Sequence, residues 1–79
     1  MKDFLEYLVK NIVNDPTKVD VQMKEGERGT LFEIRVAPED IGKVVGKGGR
    51  VIRSLRTLSI SIGVRIGIKV QLEVMQENA

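Results

Sequence analysis

The chain has 79 residues, 42% of them hydrophobic and 30% charged, with a formal net charge of +2; that length supports one core, and the balance is too apolar for a disordered segment. Cysteine and histidine are both absent, which excludes disulfides and thiolate nucleophiles or metal sites and removes the usual general base near neutral pH, so catalysis starts from a weak position. No apolar run approaches the roughly 20 residues that span a bilayer, and there is no secretory h-region, so the expectation is a protein of a reducing cytoplasm with no membrane partner.

From Lys2 to Asn14, residues Phe4, Leu5, Leu8, Val9, Ile12 and Val13 recur at helical spacing, and Asp15-Pro16 ends the run, which predicts an amphipathic helix. Tyr7 lies off that stripe. Val19, Val21 and Met23 then alternate with Asp20, Gln22 and Lys24, and Phe32, Ile34 and Val36 alternate with Glu33 and Arg35. This predicts two strands of a hairpin, joined by a longer loop over Glu25 to Gly29.

Ala37-Pro38-Glu39-Asp40 has the chemistry of a helix start, with proline at the first position and two carboxylates near the positive end of the dipole. The helix is short, roughly residues 38 to 45, burying Ile41, Val44 and Val45. Residues 46 to 49 interrupt it, and a second helix starts near Arg50, with Val51, Leu55, Leu58 and Ile62 on one side and Arg50, Arg53 and Arg56 on the other.

Apolar residues alternate strictly from Leu58 to Val74, but one strand of that span exceeds the usual 3 to 10 residues. The second helix therefore ends at Gly63 or Gly67, with a last strand from about Ile66 or Lys69 to Met75 and a fraying tail over 76–79. The predicted order is α-β-β-α-α-β, an α+β fold with a three-stranded sheet covered by helices on one face, all of it a single domain over residues 1–79.

Charge is unevenly placed along this order. Residues 1 to 40 hold six basic and nine acidic groups, whereas residues 41 to 72 hold Lys43, Lys47, Arg50, Arg53, Arg56, Arg65 and Lys69 with no acid at all. A local positive field of this kind is the sequence form of an anion-binding surface. It coincides with Gly46-Lys47-Gly48-Gly49, where a helix start presents unpaired amide N–H groups and the missing Cβ atoms allow a phosphodiester to approach. A Walker A loop fails, since three residues rather than four separate Gly42 from Gly46 and Gly48 follows Lys47. A dinucleotide fingerprint fails too, with Val51 standing where its third glycine belongs.

The stretch IGKVVGKGGRVI resembles the signature of the KH family of RNA-binding domains, in which a G-x-x-G loop between two short helices clamps about four nucleotides. The element order resembles the type II arrangement of that family, and the whole chain, opening MKDFLEYLVKNIVNDPTKV, is similar to the small bacterial KhpA family. After Leu58 the chain departs from that pattern, with Ser59-Ile60-Ser61-Ile62-Gly63 in place of alanines and basic residues.

The resemblance implies a cytoplasmic RNA chaperone or post-transcriptional regulator that pairs with itself or with a KhpB-like protein and influences cell envelope growth and cell length. On the residues, phosphates of single-stranded RNA fall to Gly46, Lys47, Gly48, Gly49 and Arg50 with Lys43 and Arg53 alongside, on amides 47 to 50. Ile41, Val45, Ile52 and Ile34 are candidate walls for the bases. With Phe4, Tyr7 and Phe32 as the only aromatics, strong base stacking is not expected. No cofactor, metal or small-molecule substrate is implied, and no enzyme. The rival reading is a protein-interaction module on the same scaffold with little RNA affinity.

Overall fold

The computed structural model describes residues 1–75; the tail expected to fray, 76–79, lies outside the described residues. Helix α1 (Lys2–Lys10) buries Leu5 and Val9 and stops short of the expected Asn14. Two competitors end it. The Asn11 side chain turns back to donate to the Tyr7 carbonyl at 2.7 Å, and the amides of Asn14 and Asp15 are taken by the Asp40 carboxylate at 3.2 and 3.0 Å. Asp40 is fully buried and makes no side-chain cap on its own helix. Its charge stabilises the end of α1 across the fold rather than the dipole expected from its position.

Strands β1 (Asp20–Gly26) and β2 (Gly29–Arg35) pair antiparallel from Asp20↔Arg35 to Gly26↔Gly29. The hairpin loop is therefore the two residues Glu27-Arg28, shorter than the expected five-residue turn. Polar side chains do not prevent ladder hydrogen bonds, so Lys24 and Glu25 continue the strand opposite Leu31 and Thr30. A single 3-10 turn over Pro38–Asp40 leads into helix α2 (Ile41–Val45), another 3-10 turn over Lys47–Gly49 leads into helix α3 (Arg50–Ile66), and strand β3 (Val70–Val74) closes the order. β3 lies parallel to β2, with Phe32 opposite Leu72, which requires a crossover, and α2 and α3 supply it. The sheet order is β1-β2-β3.

One sheet face carries the core: Val21, Phe32, Ile34, Val70 and Leu72 meet Leu5, Val9, Val44, Ile52 and Leu55. The other carries Gln22, Glu33, Gln71 and Glu73, with Lys24 Nζ 3.0 Å from Glu33 Oε1. The expected α+β architecture with helices on one face is thus the observed one.

The packed stripe of α3 differs from the one expected. Ile52, Leu55, Ser59 and Gly63 are buried, whereas Leu58 is 42% exposed. Small residues decide this, because they let α3 approach the start of β3. An added Cβ at Gly63 would lie 2.6 Å from Val70 Cγ2 and 2.8 Å from the Ile68 carbonyl oxygen. Of the two expected stops, Gly67 is the cap, in the left-handed region at φ 78°, ψ 25°, and Ile68 N–H donates back to the Gly63 carbonyl at 2.8 Å.

This packing predicts opposite signs for one kind of substitution on the same stripe. Gly63→Ala destabilises by about 1 to 3 kcal/mol through overpacking, although alanine is the better helix former by about 1 kcal/mol. Ser59→Ala stabilises by about 1 kcal/mol, because it removes a buried hydroxyl that has no partner among the described residues. Urea unfolding of the two variants measures both, and a stabilised Gly63→Ala would contradict the close approach.

Candidate nucleic-acid interface

α2 ends at Val45 because Gly46 turns the chain with φ 78°, ψ 172°, a conformation that is essentially restricted to glycine. Space demands glycine as well. A Cβ there would sit 2.5 Å from Val51 Cγ2 and 2.9 Å from Val51 N, so α3 begins directly against this residue. Gly48 (φ 63°, ψ 19°) and Gly49 (φ 77°, ψ 16°) then carry the chain through two left-handed residues. Nothing lies within 4 Å of a Cβ built on Gly48; it stands at the tip in open space.

The four amides expected to face a ligand divide into two pairs. Gly49 N–H donates to the Gly46 carbonyl at 3.1 Å, and Arg50 N–H donates to the Lys47 carbonyl. These two bonds close the turn. The Lys47 and Gly48 N–H groups have no acceptor among the described residues, so the set of unpaired donors is narrower than the expected run from 47 to 50.

The basic residues divide similarly. Lys43, Lys47 and Arg50 are exposed, and none of their side chains makes a hydrogen bond or ion pair among the described residues. Arg53, on the second turn of α3, donates from Nη2 to the Gly48 carbonyl at 2.7 Å and from Nε to the Gly49 carbonyl at 3.3 Å. Arg56 donates from Nε to the Leu72 carbonyl of β3 at 3.1 Å. Where α3 meets β3 there is a cleft of about 350 Å³ lined by Arg56, Ile60, Val70, Gln71, Leu72 and Glu73.

Of the apolar walls expected, Ile41 and Val45 are half-buried and reach the surface beside the junction. Ile52 and Ile34 do not serve, because both are buried in the core, where facing the sheet takes precedence over lining a groove. Sequence reasoning missed Ile60 and the place of Arg56 in the cleft. Their positions follow from how α3 rotates against β3, and only the small residues Ser59 and Gly63 carried that signal.

The model of the family described as KhpA/KhpB, KH domain, matches residues 2–74. The chain belongs to this family. Among similar proteins, RNA-binding protein KhpA of Chlamydia caviae is 44% identical over 77 residues, 98% of this chain and 99% of that one. Its namesake in Aquifex aeolicus is 43% identical over 76 residues, 96% of both chains. That of Streptomyces coelicolor is 46% identical over 72 residues, 91% of this chain and 90% of its own. The KH domain match thus spans the junction, both helices around it and all three strands.

The junction predicts a graded glycine series. Gly48→Ala costs about 1 to 2 kcal/mol, the left-handed penalty alone, whereas Gly46→Ala costs on the order of 3 kcal/mol or more, since overpacking against α3 adds to strain. Chemical denaturation gives the ranking, and equal costs would mean that Gly46 does not hold α3 in place.

Proposed function

We propose that this chain binds single-stranded RNA at the α2–α3 junction, with backbone phosphates received by the Lys47 and Gly48 N–H groups and balanced by Lys43, Lys47 and Arg50. The observation that carries this reading is the pairing of two uncommitted amides with three uncommitted cations around a glycine that leaves the approach open. The bases run beside Ile41 and Val45 toward the cleft between α3 and β3. Family membership supports binding rather than catalysis, since the relatives carry the name RNA-binding protein.

The finer parts of the reading come from the resemblance to the KhpA family. The chain acts as an RNA chaperone or post-transcriptional regulator in the cytoplasm, consistent with the absence of any membrane-crossing helix among the described residues. It is linked to envelope growth and cell length, and it works paired with a second copy or with a KhpB-like protein. The pairing is supported by the family description, which covers both KhpA and KhpB, and by Val64 and Ile66, 73% and 61% exposed on the last turns of α3. Those same residues favour the second reading, a protein-interaction module. RNase-insensitive partner capture with no gel shift of cellular RNA would select it.

With about three phosphates contacted, log K falls with log salt at a slope near −2, taking roughly −0.7 per phosphate on a single strand. The double substitution Lys47→Asp, Gly48→Asp removes binding of oligouridylate in fluorescence anisotropy while circular dichroism retains the helical signal, because aspartate tolerates the left-handed region and meets no neighbour at the tip. A folded double variant that still binds with wild-type affinity would refute the site.

A further inference from the structure

A trans peptide unit points its carbonyl and the next residue's N–H in opposite directions, and there is no cis bond in the described chain. The peptide units 48–49 and 49–50 are therefore each held on two sides. Their N–H groups, on Gly49 and Arg50, close the turn on the Gly46 and Lys47 carbonyls. Their carbonyls, on Gly48 and Gly49, accept from the Arg53 guanidinium.

We infer that Arg53 is a positioning residue for RNA binding: its guanidinium fixes the two inner peptide units of the junction so that the Lys47 and Gly48 N–H groups are left facing outward for phosphate. The inference rests on the RNA-binding reading above and gives Arg53 a role as brace in place of the phosphate contact expected from the sequence. Three features support this. Three of the four junction residues are glycines, which have no side chains to hold the loop and lose the most conformational freedom on ordering, and the Lys47 side chain makes no bond within it. The two carbonyls lie four and five residues before Arg53, where one rigid planar fork reaches both from a single helix turn. Lysine has one donor centre on a flexible stem, so it cannot hold both peptide units at these distances, although its charge is the same.

The charge-conserving variant separates brace from contact. The proteins compared are wild type, Arg53→Lys and Arg53→Gln, all with an exposed substitution site. In the free proteins, both variants show faster hydrogen exchange of the Gly49 and Arg50 amides by NMR, with unfolding midpoints close to wild type. With oligouridylate, both lose affinity about tenfold, as expected for losing the pre-ordering of one charged hydrogen-bonding group, and both keep the wild-type salt slope. Wild-type affinity in Arg53→Lys overturns the inference, as does a slope shallower by about 0.7 in Arg53→Gln, the signature of a lost phosphate contact. Unchanged exchange at Gly49 and Arg50 in both variants overturns it as well. Failure of the wild-type protein itself to bind oligouridylate overturns the RNA-binding reading and this role together, whereas binding by wild type with an unaffected Arg53→Lys removes this role alone.

Discussion

Everything at the exposed end of this molecule depends on one missing methyl group. α3 starts so close to the end of α2 that Val51 occupies the space a side chain on Gly46 would need. Because the two helices are joined by only four residues, their ends converge on one small region. The dipole of the long helix, the unclaimed amides of its lead-in turn and the surrounding cations therefore act on the same point in solvent. A longer or bulkier connection would separate them.

α3 meets two demands with one sequence. Toward the sheet it needs a narrow surface, because the crossover must bring β3 alongside β2, and Ser59 and Gly63 provide this where Ile52 and Leu55 have already filled the centre. Toward solvent it needs positive charge without acids. Arg53 and Arg56 have their guanidinium groups on backbone carbonyls, which fixes them without neutralising them, so both still add to the field while bracing the loop and the last strand. Acidic groups lie on the sheet: Glu33 and Glu73 stand opposite one another on β2 and β3, with Lys24 on Glu33, and Glu73 also lines the α3–β3 cleft with Arg56. The separation of charge seen along the chain therefore holds at the α2–α3 junction but not in that cleft.

Much of this was legible in the sequence, for local reasons. Period-two and helical patterning gave the element order, and the spacing of Gly42, Gly46 and Gly49 within apolar residues located the junction. What was not legible came from contacts distant along the chain. α1 stops at Lys10 because a carboxylate 25 residues away takes the Asp15 amide, which no window around Asn11 contains. The hairpin is tight because Thr30 is buried beside β3, extending the strand through residues that look like a loop. The buried stripe of α3 is not the one its large apolar residues predict, because the closest approach to the sheet selects the smallest residues, Ser59 and Gly63. Arg53 showed its charge in the sequence, but a positive side chain that holds backbone carbonyls looks the same as one that waits for a phosphate.

The site's modest inventory sets how it can discriminate among ligands. On the proposed reading, two backbone amides and three flexible cations would meet a polyanion's regular spacing, which every RNA strand shares, and so would position a strand without reading it. Stacking, the usual next source of affinity, has little to draw on: Phe32 is in the core, and Phe4 and Tyr7 are on α1 rather than on α2, the junction or α3. What remains is the aliphatic margin of Ile41 and Val45 and the cleft beside β3, where edge groups of a strand can meet a base but only over a few nucleotides. With these means a single copy would gain selectivity chiefly if it were joined to another, since a second weak site at high effective concentration multiplies discrimination without any new contact in the first. The apolar surface left on the last turns of α3 lies on the same helix that presents the basic residues, so pairing through it would fix two such sites rigidly with respect to each other.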